Sequence, residues 1–252
     1  MTTITTSENK KIYFASDQHL GAPSPEASLP REKKFVAWLD TIKEDAGAIF
    51  LLGDLFDFWF EYKTVVPKGF VRVLGKLAEL KDAGIAIYFF VGNHDLWMRD
   101  YFQKELNIPV FHKPQEFDIN GKIFLIGHGD GLGAGDYGYK RMKKVFTFPF
   151  FKWLFRWLHP DIGVRLGHYF SVKNKLISGD EDARFLGEEN EWLVQYCRKK
   201  MTEKHYDFFV FGHRHLPLEI NLNTNSTYIN LGDWIQYFTY GEFMKTFKLK
   251  EF

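Results

Sequence analysis

The sequence predicts an α/β fold, and three observations carry that expectation. Short apolar strands alternate with amphipathic helices through the first half of the chain, the pattern of a parallel sheet with helices on its faces. The strands end in Gly, Asp, Asn or His, where open α/β sheets place their sites. Composition is that of a folded protein, 45% hydrophobic and 26% charged over 252 residues, which excludes disordered and fibrous classes. No repeat, low-complexity segment or composition shift marks a linker, so one domain over 1–252 is expected.

Residues 11–16 read as a short apolar strand ending at Asp17. Residues 31–46 place Phe35, Trp38, Leu39, Ile42 and Ala46 on one helical stripe. Residues 48–52 are a buried strand running into Gly53-Asp54. Phe70, Val73, Leu74 and Leu77 mark a second helix, closed near Gly84. Residues 85–91 are a third apolar strand ending at Gly92, followed by a short helix over 100–106 and a strand near Val110. Residues 116–119 and 122–126 flank Asn120-Gly121, a strong hairpin signal. Residues 136–178, broken by Pro149, Pro160 and Gly163, form a helical insert of two or three helices that serves as a lid. Residues 182–204 read as one long helix, with the only cysteine, Cys197, as a packed thiol. Residues 206–211, 218–222, 227–230 and 243–249 read as strands.

One cysteine excludes an intramolecular disulfide framework. Neither a signal peptide nor a membrane-spanning helix is expected: residues 1–11 are polar, and no apolar run reaches the ~18 residues a span requires. The formal charge of +1 averages two unequal regions. Between Tyr139 and Lys175 lie nine Lys or Arg, one acid and ten aromatics, so that stretch carries +8 and the remainder −7. Cations interleaved with Phe and Trp suit an anionic membrane surface, or acyl chains beside a diphosphate. The apolar density exceeds what a groove tracking nucleic acid needs, so no nucleic-acid partner is expected, and no obligate protein partner is inferred.

The chemistry lies at the strand ends. Asp17 and His19 are two apart, as are His213 and His215, so in extended backbone each pair projects to one face. Asp54, then Asn93, His94 and Asp95, then His128 follow successive Gly-containing turns. Carboxylate, amide and imidazole without thiolate suit catalytic transition metals rather than a Cys-rich structural zinc. Seven candidate ligands exceed one ion's needs and match a pair bridged by a carboxylate, which clamps a phosphoryl group and activates a water.

The ordered series D-x-H, G-D, G-N-H-D, G-H-G-D, G-H-x-H over residues 17–215 resembles the calcineurin-like metallophosphoesterase family. The resemblance implies a four-layer α/β/β/α sandwich holding two divalent metal ions, with Mn the favoured identity and Fe or Zn accepted by the same donors. It implies that Asp17, His19 and His215 hold one ion, that Asn93, His128 and His213 hold the other, and that Asp54 bridges them. His94 then faces the phosphate as acid or hydrogen-bond donor, and Asp95 orients it. Residues 52–59, unusually aromatic after Gly53-Asp54, resemble the UDP-2,3-diacylglucosamine hydrolases, as do His128-Gly129-Asp130 followed by Asp136 and Tyr139, and the insert behind them. That resemblance implies cleavage of a UDP-linked acylated sugar to UMP and the diacylated sugar 1-phosphate, in the cytoplasm and peripheral to the inner membrane. Asp136, Tyr139, Arg165, Lys173 and Lys175 are the candidate substrate contacts. One departure is His94, where the best-known of these hydrolases carry Arg; it favours the competing expectation of a water-soluble phosphodiester, nucleotide or phosphoprotein substrate. A non-catalytic scaffold on the same fold would show lost ligands, and none is missing.

Overall fold

A computed structural model describes residues 1–133, 137–182, 185 and 187–252; the side chains of 172–182 fall outside that description. Two six-stranded sheets pack face to face. One runs β12 (Phe247–Glu251), β11 (Thr239–Phe243), β2 (Lys11–Ala15), β3 (Ala46–Leu51), β4 (Ala86–Phe90), β5 (Val110–Phe111). The other runs β1 (Thr2–Ile4), β6 (Gln115–Ile119), β7 (Lys122–Ile126), β8 (Phe208–Phe211), β10 (Ser226–Leu231), β9 (Pro217–Asn223). The strands β2 to β5 are parallel, as are β7, β8 and β10. Hairpins add antiparallel edges, so both sheets are mixed.

Period-two alternation explains why the sheets bury both faces. In β2, Ile12 and Phe14 enter the core between the sheets, joined there by Phe50, Phe90, Phe124, Ile126 and Val210. Tyr13 and Ala15 face the other way, against α1 (Pro25–Ile42), α2 (Val71–Asp82) and α3 (Tyr101–Leu106), through Phe35, Trp38, Leu77 and Phe102. Beyond the second sheet, α7 (Trp192–Met201) covers Leu125, Phe209 and Phe211 with Leu193, Val194 and Cys197. The result is the expected α/β/β/α sandwich, and Cys197 is a buried thiol within it. Two buried carboxylates cap helices from a distance: Glu32 accepts from the Arg72 and Val73 amides, and Glu61 from those of Asp100 and Tyr101.

Several boundaries differ from the sequence expectation, each for a local reason. The first helix starts earlier, because Ser24 caps the Ala27 amide ahead of Pro25, and it stops at Ile42. Residues 182–204 do not form one helix: Gly187 takes a left-handed φ of 86° and Glu191 is extended before α7 begins. Residues 243–249 are the inner ends of the β11–β12 hairpin rather than one strand. The strand β1 lies in the polar N-terminal stretch, held on an edge by β6. The Asn120-Gly121 turn has positive φ at both residues, as a type I′ hairpin requires.

Three helices make up the insert: α4 (Tyr137–Thr147), α5 (Pro149–Arg156) and α6 (Pro160–Asp182). Pro149 and Pro160 each open a helix, the position where a missing N–H costs nothing. Phe155 packs on Phe60 and Trp97, whose indole donates to the Phe146 carbonyl at 2.8 Å. Phe150, Trp153 and Trp157 form a stripe on the outer side, 54, 52 and 75% exposed. A share of the insert's aromatics thus seats it on the core, and the rest face outward. Among the described residues no helix is long and apolar enough to cross a membrane.

Candidate metal centre

The carboxyl ends of β2, β3 and β4 from one sheet meet those of β7 and β8 from the other. His19 Nε2 lies 3.2 Å from His215 Nε2, and both face Asp17 Oδ1, at 3.7 and 3.5 Å. Asn93 Oδ1 lies 3.1 Å from His128 Nε2 and 3.0 Å from His213 Nδ1. Asp54 Oδ2 sits between the two trios, 3.6 Å from His19 Nε2 and 3.4 Å from His128 Nε2. All seven residues singled out as ligands therefore converge. Asp17, His19, Asp54, His213 and His215 all adopt left-handed backbone, at about 1–3 kcal/mol each for a side chain other than Gly. Gly53 makes the turn possible: its φ is 90°, and a Cβ there would stand 2.6 Å from the Gly92 nitrogen.

Two of the remaining imidazole nitrogens, on His128 and His215, are anchored by hydrogen-bond contacts, and a carboxylate lies near that of His19. His128 Nδ1 donates to the Leu52 carbonyl at 2.7 Å. His215 Nδ1 lies 3.2 Å from Asp233, whose other oxygen accepts from the amides of Ile235, Gln236 and Tyr237. His19 Nδ1 lies 3.3 Å from Asp57. Metal-binding histidines are typically oriented by such contacts.

The comparison that decides the family is a match to the calcineurin-like phosphoesterase model over residues 10–217. The chain belongs to the calcineurin-like phosphoesterase family. Curated relatives agree: a UDP-2,3-diacylglucosamine hydrolase from Porphyromonas gingivalis is 39% identical over 245 residues, covering 91% of this chain and 92% of its own. Proteins of the same name from Vibrio parahaemolyticus and Actinobacillus succinogenes are 28% and 25% identical, over 88 and 89% of this chain and 89 and 92% of theirs. This calcineurin-like phosphoesterase is a metal-dependent phosphoric ester hydrolase, and its fold brings a dinuclear divalent-metal site.

The phosphoesterase's residues fit such a group. Asp17 Oδ1 is buried with no hydrogen-bond donor, and two imidazole nitrogens 3.2 Å apart need a shared proton or a cation between them. Charge tells the same story. Burial resists ionising Asp54 and Asp17, yet neighbouring imidazoles, His128 and His94 for the first and His215 and His19 for the second, hold both well below the usual carboxylate range. Burial also resists charging His128, but Asp54, Asp17 and Asp130 lift it to about 10. His213 moves the other way, down to about 4, through burial and the His128 charge. Chelation of the metal-loaded phosphoesterase is expected to lower its melting temperature by about 5–10 °C, given ~2.7 kcal/mol for a ligand at a hundred times its Kd and ~2–4 °C per kcal/mol at this size. Calorimetry before and after metal add-back checks this; an unchanged melt would contradict ion binding here.

The acid–base end of the phosphoesterase site departs from expectation. Asp95 is fully buried and accepts from the Gly92 and Leu55 amides, at 2.7 and 3.0 Å. Burial and Asp54 push its carboxyl up to about 8. Its contacts hold the Gly53 and Gly92 turns together. The groups beside His94 Nδ1 are instead Asp57 and Ser171. Neither was legible from sequence, because they lie 37 and 77 positions away from His94. Asp57 does sit three residues after Asp54, a spacing that could have raised it. Distance also groups His94 with His19 and Asp54.

Of the expected substrate contacts, Tyr139 donates to Asp130 beside His128, and Arg165 is exposed on α6. Asp136 and the side chains of Lys173 and Lys175 lie outside the described residues. A cavity of about 640 Å³ adjoins His128. Phe90, Phe111 and Pro114 give it an apolar wall, and Lys140, Arg141 and Lys144 of α4 a cationic one.

Proposed function

We propose that this phosphoesterase hydrolyses the pyrophosphate of UDP-2,3-diacylglucosamine to UMP and 2,3-diacylglucosamine 1-phosphate, at the cytoplasmic face of the inner membrane. The observation that carries the reading is the juxtaposition of the ligand cluster with an insert whose cations line the adjoining cavity and whose aromatics face outward. The names of the relatives support it.

In this reading Asp17, His19 and His215 hold one ion, Asn93, His128 and His213 the second, and Asp54 both; Mn²⁺ is the proposed identity. Bound there, two divalent ions neutralise phosphoryl charge and lower the pKa of a water. The chain's own residues do the rest. Asp233 and the Leu52 carbonyl orient the imidazoles of His215 and His128, and Asp57 lies 3.3 Å from His19 Nδ1. His94, whose amide donates to Asp54 at 2.8 Å, stands at the edge of the cluster and protonates or hydrogen-bonds the leaving oxygen. The cations of α4 hold the diphosphate, and the insert shelters the acyl chains as a lid over 136–178. Tyr139, Arg165, Lys173, Lys175 and Asp136 are proposed substrate contacts.

Purified protein with Mn²⁺ is expected to release UMP from UDP-2,3-diacylglucosamine. Cleavage of a generic phosphodiester without UMP release would show that the substrate is a different, water-soluble one. The double variant Arg141→Glu/Lys144→Glu is expected to raise KM for the diphosphate substrate about tenfold or more, since each reversal replaces a favourable surface interaction worth about 0.2–1 kcal/mol with a repulsion. Steady-state kinetics at low salt checks it, and an unchanged KM would remove this cavity from substrate binding.

A further inference from the structure

We propose that Ser171, on the third helix of the insert, is a positioning residue that aligns the His94 imidazole for the reaction. Ser171 is buried, and its hydroxyl donates to Asp57 Oδ2 at 2.6 Å. A hydroxyl that donates its one hydrogen to a carboxylate is left as an acceptor. It stands 3.0 Å from His94 Nδ1, which also lies 3.0 Å from the Asp57 backbone carbonyl. A carbonyl only accepts, so Nδ1 carries the hydrogen and both oxygens receive it. Nδ1 is thereby committed to the protein side of the ring. Asp57 Oδ1 in turn lies 3.3 Å from His19 Nδ1, so one carboxylate joins a candidate ligand, the candidate acid and the insert.

The helix reaches this position because its inner face is nearly bare. Gly163, Gly167 and Ser171 are spaced four apart, on one side of α6. A Cβ at Gly163 would strike the Tyr62 hydroxyl, and one at Gly167 would strike the Phe58 ring. The helix backbone therefore lies directly against the 57–62 segment, close enough for a side chain as short as serine to touch Asp57. Seating of α6 adds the Ser171 hydroxyl to the Asp57 carbonyl as an acceptor for His94, so the insert contributes to the chemical step as well as to substrate binding.

The test is a double-mutant cycle on kcat, using diphenyl phosphate, whose phenoxide is a poor leaving group, with Mn²⁺ present. The inference rests on the hydrolase reading but not on the acylated substrate, so this ester separates the two. Ser171→Ala is expected to lower kcat about tenfold with KM within about twofold, as loss of an orienting contact does. In a His94→Gln background the same change is expected to alter kcat by less than about twofold, because the group being aligned is gone. Melting curves for all four proteins report folding separately. Equal losses in both backgrounds, a loss confined to KM, or no loss at all would each overturn the proposal. Failure of UMP release alone, with the coupling present, would count against the lipid substrate and leave Ser171 in its role.

Discussion

Asp54→Ala is expected to leave a folded protein with at least about a thousandfold less phosphoester hydrolysis. Asp54 is the carboxylate that neighbours both ligand trios, 3.6 Å from His19 Nε2 and 3.4 Å from His128 Nε2. Its other oxygen accepts from the His94 amide. One substitution thus removes the carboxylate between the two trios and loosens the turn that carries His94. Metal centres supply several kcal/mol of transition-state charge stabilisation, and ~1.36 kcal/mol is tenfold in rate, so ~4 kcal/mol gives the thousandfold. The fold survives because Asp54 lies in none of the three apolar clusters. Turnover with Mn²⁺, metal content by mass spectrometry and far-ultraviolet circular dichroism check the expectation together. Full activity, or two ions still bound, would refute the bridging role.

The second large effect belongs to the outer face of the insert. Replacing Phe150, Trp153 and Trp157 together with Ser is expected to weaken binding to phosphatidylglycerol vesicles about a hundredfold or more. These rings lie at i, i+3 and i+7 and touch in series, so they form one continuous stripe. Each is about half or more exposed. Burying the exposed part in a bilayer interface contributes about 1 kcal/mol per ring, taken as half the 1.5–3 kcal/mol of full burial. Three rings give ~3 kcal/mol, or two decades of affinity. Vesicle co-sedimentation measures it. Cleavage of a water-soluble phosphodiester by the same variant should stay within about twofold, because Phe155 and Trp97, which seat the insert, are untouched. Undiminished vesicle binding would assign those aromatics another purpose.

The seven candidate ligands were legible because they cluster just after five strands, Asp17 with His19 and His213 with His215 sharing one strand each. At four of those strand ends, Gly53, Gly92, Gly127 and Gly212 turn the chain and a polar donor follows within a few residues. The alternation of strands and helices announced a sheet covered by helices, whereas the second sheet of the sandwich came from the family resemblance alone. What was illegible is what tertiary packing decides. Asp95 follows His94 directly, yet Asp57 and Ser171 reach its ring, because the chain turns Asp95 inward onto Gly92 and Leu55. The apolar rhythm of 182–204 runs across Glu191, where extended backbone interrupts the helix. The tight turn at 244–246 has no Gly or Pro to announce it. The strand β1 is too polar to declare itself and exists because β6 offers an edge.

Four of the seven candidate ligands, Asp17, His19, Asp54 and Asn93, come from turns after one sheet, and His128, His213 and His215 come from turns after the other. Ions shared across that boundary would act as a clasp between two plates. Sliding one sheet over the other would tear ligands from the ions before it disrupted much of the apolar layer. The loaded protein should therefore resist shear in a force experiment far more than the chelated one. Its two halves should then yield in one step, whereas without ions they can part in two.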